Sequence, residues 1–186
     1  MISSPSGAGK TTITKKLISQ NKNMELSVSL TTRQPRKKEV QNIDYQFVEK
    51  KFFKKKIING SFLEYAKVFD NYYGTLKKDI LKKIKKNKII ILDIDWQGAR
   101  QIKEKVPNLV TSIFIMPPSL NELKKRLIKR EKDISFVNKR MAKAKKEIMH
   151  WKEYDFVVVN DNLQKCLKEI NQILITIKKK PNNFQI

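Results

Sequence analysis

The sequence has little of three features that would point to particular protein classes. It contains one cysteine, Cys166, in 186 residues, which excludes an internal disulfide and a metal site built from several cysteines. No apolar run approaches the roughly 20 residues that a membrane-spanning helix needs. The N-terminus passes within a few residues into a Pro-Ser-Gly loop instead of the apolar stretch of a secretory signal. These absences predict a soluble cytoplasmic protein.

Acidic residues are also scarce. The chain has 18 Asp and Glu against 41 Lys and Arg, a formal net charge of +23. Such an excess suits a polyanion and raises nucleic-acid binding as an alternative function. The excess is mostly lysine spread through almost every segment, without the interleaved aromatic residues of a single-strand binding surface. We therefore interpret the charge as non-specific attraction to polyanions and expect no dedicated nucleic-acid or membrane partner.

Helical stretches alternate with short apolar runs, an order typical of α/β proteins. The runs at 89–92, 109–116 and 156–159 are rich in β-branched residues and predict inner strands of a parallel sheet that is covered on both faces. Apolar residues at helical spacing predict helices between and after these strands. One of these helices is predicted to begin with a capping box formed by Ser119 and Glu122.

Two segments depart from this alternation. Residues 31–75 mix polar loops with strand-like stretches, which predicts an inserted lobe. Residues 126–140 are charged and poor in apolar side chains, which predicts a mobile lid. In this interpretation the whole chain is one domain, and its core comprises residues 1–30, 76–125 and 141–186.

A phosphate-binding loop follows the first predicted strand. Residues 4–11 match the pattern G-x-x-x-x-G-K-[ST] except that Ser4 stands at the first glycine. The two later glycines let backbone amides turn toward phosphate oxygens at the positive end of a helix. Lys10 is predicted to reach the β- and γ-phosphates of ATP, and the Thr11 hydroxyl to bind Mg²⁺. The predicted ATP-binding residues are Ser4, Pro5, Ser6, Gly7, Ala8, Gly9, Lys10 and Thr11.

Four charged residues further along the chain are candidates for catalysis. Asp93 ends an apolar strand, a position from which a carboxylate in P-loop enzymes helps to hold Mg²⁺, although such an Asp is also a common turn former. Arg126 and Arg130 lie on one helix face and Arg140 on the next helix. With Lys10, they are predicted to stabilise charge on a transferring phosphoryl group. The alternative is that the arginines are solvated surface charges.

Six segments together resemble the guanylate kinase family, bacterial type, over almost the whole chain. They are SPSGAGKT at 4–11, SVSLTTRQPR at 27–36, FLEYA at 62–66, NYYGT at 71–75, LDIDWQG at 92–98 and VND at 159–161. The TTRQPR and NYYGT segments are specific to that family. The resemblance implies a P-loop nucleoside monophosphate kinase with a parallel sheet core flanked by helices. It also implies transfer of the γ-phosphate of ATP to GMP with Mg²⁺, giving ADP and GDP.

The resemblance further implies that the inserted lobe holds GMP. A carboxylate at Glu64 would accept from guanine N1–H and N2–H₂, and Thr75 would donate to O6. Arginine and tyrosine side chains would bind the GMP phosphate. The implied GMP-binding residues are Ser29, Arg33, Arg36, Tyr45, Glu64, Tyr73, Thr75 and Asp95, and Asn160 joins the ATP-binding residues.

Three positions depart from the family pattern. Only Met1, Ile2 and Ser3 precede the phosphate loop, a departure that bears on stability and not on chemistry. Ser4 is expected to be tolerated if its backbone angles are ordinary. Glu131 stands where a glycine is usual, which predicts altered hinging of the lid.

Two other functions remain open from the sequence. One is a related kinase acting on a ribose bisphosphate, which Glu64 and Thr75 oppose because a sugar phosphate offers no base edge. The other is a non-catalytic guanylate kinase-like binding module, which the presence of Lys10 and Thr11 opposes. The lone histidine, His150, is predicted to be a helix-face residue, because an ionised phosphate acceptor requires no general base.

Overall fold

The computed structural model describes residues 1–37, 39–131 and 133–178. The strands are β1 (Ile2–Ser3), β2 (Met24–Leu26), β3 (Leu30–Thr31), β4 (Gln46–Phe47), β5 (Phe62–Val68), β6 (Asn71–Leu76), β7 (Ile89–Ile91), β8 (Ile113–Met116) and β9 (Phe156–Val159). The α-helices are α1 (Lys10–Gln20), α2 (Lys50–Ile58), α3 (Lys77–Ile84), α4 (Trp96–Lys105), α5 (Leu120–Arg130), α6 (Ile134–Met149) and α7 (Leu163–Lys178). Short 3₁₀ turns occupy Pro107–Leu109 and His150–Glu153. The predicted core residues 179–186 lie outside the described residues. None of the described helices is long and apolar enough to cross a membrane.

Parallel strands form the core sheet in the order β2-β7-β1-β8-β9. The short strand β1 joins the two halves of this sheet, because the Ile2 N–H donates to the Leu92 carbonyl at 2.9 Å and Ile2 pairs with Ile113 of β8. This confirms the predicted parallel sheet flanked by helices. After β1 the chain forms β2 and β7 on one side of β1, and then β8 and β9 on the other side. The phosphate loop follows β1 and therefore begins at the position where ligands bind in such sheets.

Two apolar clusters cover the two faces of the core sheet. On one face, Ile13 of α1 and Cys166 of α7 pack with Ile115 of β8. On the other face, Ile102 of α4 packs with Phe114 of β8. Neighbouring residues of β8 thus point to opposite faces, as the pleat of a strand requires, and the thiol of Cys166 is buried.

Two of the three predicted inner strands differ from expectation. β9 lies at the edge of the sheet and pairs, among the described residues, with β8 alone. Its Phe156 and Val159 are 37% and 45% exposed. The composition of the run did not distinguish the two positions, because β-branched and aromatic residues suit an edge strand as well as an inner one. β8 begins only at Ile113, and Leu109 at the start of the predicted run instead ends a 3₁₀ turn.

The predicted inserted lobe contains a second sheet, in the order β4-β3-β6-β5. β5 and β6 form an antiparallel hairpin. Helix α2 covers this sheet through Phe53, whose ring centroid lies 4.4 Å from that of Phe62 and 5.4 Å from that of Tyr72. The second sheet therefore has an apolar cluster of its own.

The predicted lid is largely helical, because α5 ends at Arg130 and α6 already begins at Ile134. Asp133 caps α6 by accepting from the Ser135 N–H at 2.7 Å. Residue 132, between the two helices, lies outside the described residues. Leu127 of α5 and Val137 of α6 pack with Ala8 of the phosphate loop in one cluster, so both helices rest on that loop.

The capping box predicted for α5 is half formed. The Ser119 hydroxyl accepts from the Glu122 N–H at 3.1 Å, as predicted. The Glu122 carboxylate instead pairs with Arg126 at 3.1 Å, because an arginine one turn along the helix offers a charged donor.

Candidate active site

The phosphate loop owes its shape to two glycines. Gly7 and Gly9 have φ angles of 94° and 100°, in the left-handed region that favours glycine. A Cβ on Gly9 would also collide with Nδ2 of Asn160. Ser4 is not among the described non-glycine residues with positive φ, so serine is tolerated there as expected.

Lys10 begins α1 and forms an ion pair with Asp93, which follows β7. Burial lowers the pKa of Lys10 to about 8, against the opposing attraction of Asp95 and Glu147. The two side chains that the sequence assigns to phosphate and to Mg²⁺ are therefore in direct contact.

A cavity of about 750 Å³ extends from the phosphate loop to the second sheet and to α6. Most of the predicted site residues line it: Ser4, Pro5, Ser6, Gly7, Gly9, Lys10, Thr11, Ser29, Arg33, Arg36, Tyr45, Glu64, Tyr73, Asp93, Asp95, Arg126, Arg130 and Arg140. Ala8, Thr75 and Asn160 lie behind its wall. Ala8 is fully buried, and Asn160 donates from Nδ2 to the Ala8 carbonyl at 2.7 Å, so Asn160 supports the phosphate loop from outside the cavity.

Glu64 is a buried carboxylate on β5, opposite Thr75 of β6. The Thr75 hydroxyl donates to Glu64 Oε1 at 2.6 Å and lies 3.1 Å from the Ser29 hydroxyl. Because a hydroxyl has one hydrogen, Ser29 donates to Thr75 and Thr75 donates to Glu64. Burial raises the pKa of Glu64 to about 7, against the hydrogen bond from Thr75 and with the help of Asp95. Thr75 thus orients Glu64 in this structure, and its implied contact with guanine O6 stays a prediction.

Asp95 occupies the N-terminal cap of α4. One of its carboxylate oxygens accepts from the Gln97 and Gly98 N–H groups at 3.0 and 3.1 Å. These bonds fix Asp95 on the cavity wall, on the side where Glu64 lies.

A carboxylate that the sequence reasoning missed, Glu39, holds two of the predicted phosphate-binding arginines. Both Glu39 oxygens accept from Arg33 at 2.9 Å, and one accepts from the Arg36 N–H at 2.8 Å. Burial tends to raise the pKa of Glu39, but the bonds from Arg33 and Arg36 bring it below its ordinary value. The Arg33 Nε also donates to the Tyr73 hydroxyl at 3.2 Å. One signal in the sequence could have indicated Glu39, namely an acidic residue directly after the basic run 36–38.

The three candidate catalytic arginines all reach the cavity. Arg140 donates to the Ser6 hydroxyl of the phosphate loop at 2.9 Å. The same oxygen of Glu131 lies 3.1 Å from Arg140 Nε and 3.2 Å from Arg130 Nε. Arg126 donates to the Asn160 carbonyl at 3.2 Å.

Glu131, where the sequence predicts altered hinging, has a φ of −111°. Its backbone is therefore extended and does not require glycine. Its carboxylate forms ion pairs with one arginine from each lid helix.

Helix α6 brings further residues to the cavity that the sequence reasoning missed. Lys143 pairs with the buried Glu147 at 3.3 Å and lies 5.0 Å from the ring centroid of Phe69, in the turn between β5 and β6. Burial raises the pKa of Glu147. Because residues four apart share one helix face, the spacing of Lys139, Lys143 and Glu147 could have indicated this face.

Thr11 and Asp93 are the candidate Mg²⁺ residues. The described residues contain no group of three or more His, Cys, Asp or Glu side chains that could hold a metal ion. Thr11 and Asp93 both present oxygen atoms to the cavity beside Lys10. This donor set fits Mg²⁺, which typically takes one or two protein oxygens and completes its shell with phosphate and water.

Comparison with known proteins finds the same family throughout. The family model described as guanylate kinase matches residues 1–177. The guanylate kinase of Maricaulis maris is 49% identical over 174 residues, which cover 93% of this chain and 80% of that protein. That of Haemophilus influenzae is 49% identical over 178 residues, which cover 94% of this chain and 85% of that protein. The crystal structure of guanylate kinase from Anaplasma phagocytophilum is similar with a TM-score of 0.80 and 37% identity, covering 96% of this chain and 85% of that one.

Proposed function

This chain belongs to the guanylate kinase family, and on that premise we propose that it transfers the γ-phosphate of ATP to GMP, giving ADP and GDP. One observation carries the proposal. A single cavity has a phosphate loop with Lys10 at one end and a buried carboxylate, Glu64, at the other. Such a cavity can hold two nucleotides, with the phosphates of ATP at the phosphate loop and the base of GMP at Glu64. Because both substrates are metabolites of the cytoplasm, we expect the enzyme to work there.

The transfer depends on positioning and charge. The attacking atom is a phosphate oxygen that is already ionised at pH 7, so no side chain has to remove a proton. Lys10, Arg126, Arg130 and Arg140 line the cavity and would stabilise the charge that spreads over the transferring phosphoryl group. Thr11 and Asp93 would hold Mg²⁺, which neutralises phosphate charge when bound.

At the acceptor end, Glu64 would accept from the N1–H and N2–H₂ donors of guanine. Asp95, fixed by its bonds to α4, would assist on the base side. Arg33, Arg36, Tyr45 and Tyr73 would bind the GMP phosphate, because arginine gives bidentate charge-assisted bonds and tyrosine adds donors without charge. In this assignment Glu39 orients Arg33, Thr75 orients Glu64, and Asn160 supports the ATP site through Ala8.

The alternatives make different demands on the cavity. A ribose bisphosphate acceptor offers no donor pair, and would leave a buried carboxylate at Glu64 without its partner. A non-catalytic module has no use for the contact between Lys10 and Asp93. A nucleic-acid binder would depend on the lysine-rich surface and not on the cavity at all.

An ADP-release assay with ATP, Mg²⁺ and a panel of acceptors tests the proposal. We expect turnover with GMP and dGMP, and a kcat/KM for AMP lower by on the order of 10³, because AMP loses or reverses at least two buried hydrogen bonds. UMP should likewise be a poor acceptor. No turnover with GMP, or equal use of AMP, would refute the proposal, and a salt-sensitive DNA mobility shift without turnover would favour the nucleic-acid alternative.

A further inference from the structure

Gly98 and Glu64 are in unusually close contact. Gly98 is buried in the first turn of α4. A Cβ built on Gly98 would lie 2.5 Å from Glu64 Oε2, 3.0 Å from its Cδ and 3.4 Å from its Cγ. All three of the nearest atoms belong to Glu64, so the Glu64 side chain occupies the space that any other residue at position 98 would need.

The backbone gives no other reason for a glycine there. Gly98 is not among the glycines with positive φ, which are Gly7, Gly9 and Gly60. Within a helix, glycine is less favourable than alanine. The local structure would therefore favour alanine at position 98, and the close approach of Glu64 is what opposes it.

The contact completes a slot that holds the Glu64 carboxylate in one orientation. Thr75 holds Oε1 at 2.6 Å from one side, and the first turn of α4 touches Oε2 from the other. The Gln97 and Gly98 N–H groups at that turn already donate to Asp95. The side chain of Glu64 is therefore fixed by contact on two sides and is only 3% exposed.

We propose that Gly98 is a specificity-determining position, which allows α4 to press against Glu64 and fix its carboxylate for the guanine base. The inference rests on the proposed role of Glu64 as the base-reading residue. A side chain at position 98 would turn the carboxylate out of its slot and misalign it with the two guanine donors. The phosphate loop would be unaffected, since the nearest neighbours of the added atom all belong to Glu64.

The test compares Gly98→Ala with Gly60→Ala. Gly60 has a φ of 58° and nothing within 4 Å of an added Cβ, so alanine there strains the backbone without touching the cavity. For Gly98→Ala we expect a KM for ATP within about twofold and a GMP-over-AMP ratio of kcat/KM reduced by about tenfold or more, as for loss of one buried hydrogen bond. Gly60→Ala should lower the Tm and leave the GMP-over-AMP ratio unchanged.

A double-mutant cycle with Glu64→Gln separates this inference from the proposed function. If Gly98 acts through Glu64, Gly98→Ala should reduce the GMP-over-AMP ratio much less in the Glu64→Gln background than in the wild type. Full additivity, or an unchanged GMP-over-AMP ratio in Gly98→Ala, would overturn the role of Gly98. An unchanged ratio in Glu64→Gln alone would instead overturn the role of Glu64 as the base-reading residue.

Discussion

The partly buried Lys10 and the buried Glu64 line one cavity, and loss of solvent moves the pKa of each toward neutrality, to about 8 for Lys10 and about 7 for Glu64. Burial penalises the charged form of any group. A phosphate beside Lys10 would favour the ammonium, and guanine donors beside Glu64 would favour the carboxylate. Binding of each substrate is therefore coupled to the protonation of one residue.

This coupling predicts that GMP binding weakens as the pH falls below 7. The pKa of Glu64 rises from 4.5 to about 7 on folding, so the free protein is stabilised by the neutral form at low pH and loses that contribution as the pH rises through 7. GMP requires the ionised form, so its affinity should fall by up to about tenfold for each pH unit below 7. Calorimetric titration with GMP from pH 5.5 to 8 measures this slope.

Glu64→Gln is the control for that titration. The GMP phosphate itself takes up a proton near pH 6, and this contribution remains in the variant. Identical slopes in wild type and variant would show that Glu64 does not titrate on binding.

Glu64→Gln should also weaken acceptor discrimination. The amide replaces one acceptor oxygen with a donor that faces the donors of guanine, so kcat/KM for GMP should fall by about fivefold to 150-fold, as for a reversed buried hydrogen bond of ~1–3 kcal/mol. The kcat/KM for AMP should fall less, because adenine offers no matching pair of donors to Glu64. Measuring kcat/KM for both acceptors checks this, and an unchanged GMP-over-AMP ratio would contradict it.

Lys10→Ala should abolish phosphoryl transfer while the fold persists. Lys10 contacts Asp93 and lies where the transferring phosphate would bind, so its loss removes charge stabilisation from the transition state. Lys10→Met retains most of the aliphatic stem and separates the loss of charge from the loss of packing. Lys16→Ala, on the exposed side of the same helix, is the matched control. Near-normal turnover in Lys10→Met would contradict the assignment.

At the scale of elements, periodicity and capping predicted most of the architecture but not how the elements are arranged. An apolar run such as that of β9 occurs both at the edge and in the interior of a sheet, because its exposure depends on whether a second strand pairs with its other side. The lid segment looked irregular because it is charged, yet lysine, arginine and glutamate are good helix formers. A pattern of charges does not distinguish a loop from an exposed helix.

The sequence likewise predicted some of the site residues but not the contacts between them. The phosphate loop and Glu64 follow from motifs, because their function lies in a local pattern or in a family resemblance. The ion pairs of Glu39 and Glu131 were not predicted, because an ion pair depends on which side chains the fold brings together. The bond from Thr75 to Glu64 depends on the register of the β5–β6 hairpin, which its sequence does not state.

The lid helices predict unequal roles for two arginines. Arg140 is 15% exposed and donates to Ser6 of the phosphate loop, whereas Arg130 is 42% exposed. Both changes to alanine should reduce kcat more than they raise KM for GMP, because the contacts act mainly on the transition state. We expect the larger loss for Arg140→Ala. A rise in KM for GMP with unchanged kcat would contradict a lid role, and Lys129→Ala, at an exposed position of α5, serves as the control.

At the scale of the whole molecule, some of the scarce carboxylates hold cations in place around the cavity. The chain has 18 acidic residues against 41 basic ones. Within the described residues, four of the acidic side chains pair with cations around the cavity: Asp93, Glu39, Glu131 and Glu147. These pairs fix the directions of cations that would otherwise repel one another. The rest of the positive charge attracts nucleotides from a distance, an effect that salt screens.

Stability and ATP binding should also be coupled through one small apolar cluster. Leu127 is fully buried with Ala8, and its Cδ2 would lie 3.0 Å from a Cβ on Gly7, so this side chain supports the phosphate loop from below. Leu17 is equally buried but lies in the cluster beneath α1 and α7. Each change to alanine should lower the free energy of unfolding by about 2–5 kcal/mol, the usual loss for a buried leucine.

Only Leu127→Ala should also raise KM for ATP, because the cavity it leaves lies directly under the loop and allows the loop to sample other conformations. We expect an increase of about threefold to tenfold, which corresponds to ~1 kcal/mol of lost positioning, when both variants are assayed well below their Tm. Urea unfolding and ATP titration of the two variants provide the comparison. If Leu17→Ala raised KM for ATP as much as Leu127→Ala, the effect would follow from lost stability alone. The contact of the lid helices with the phosphate loop would then have no specific effect on ATP binding.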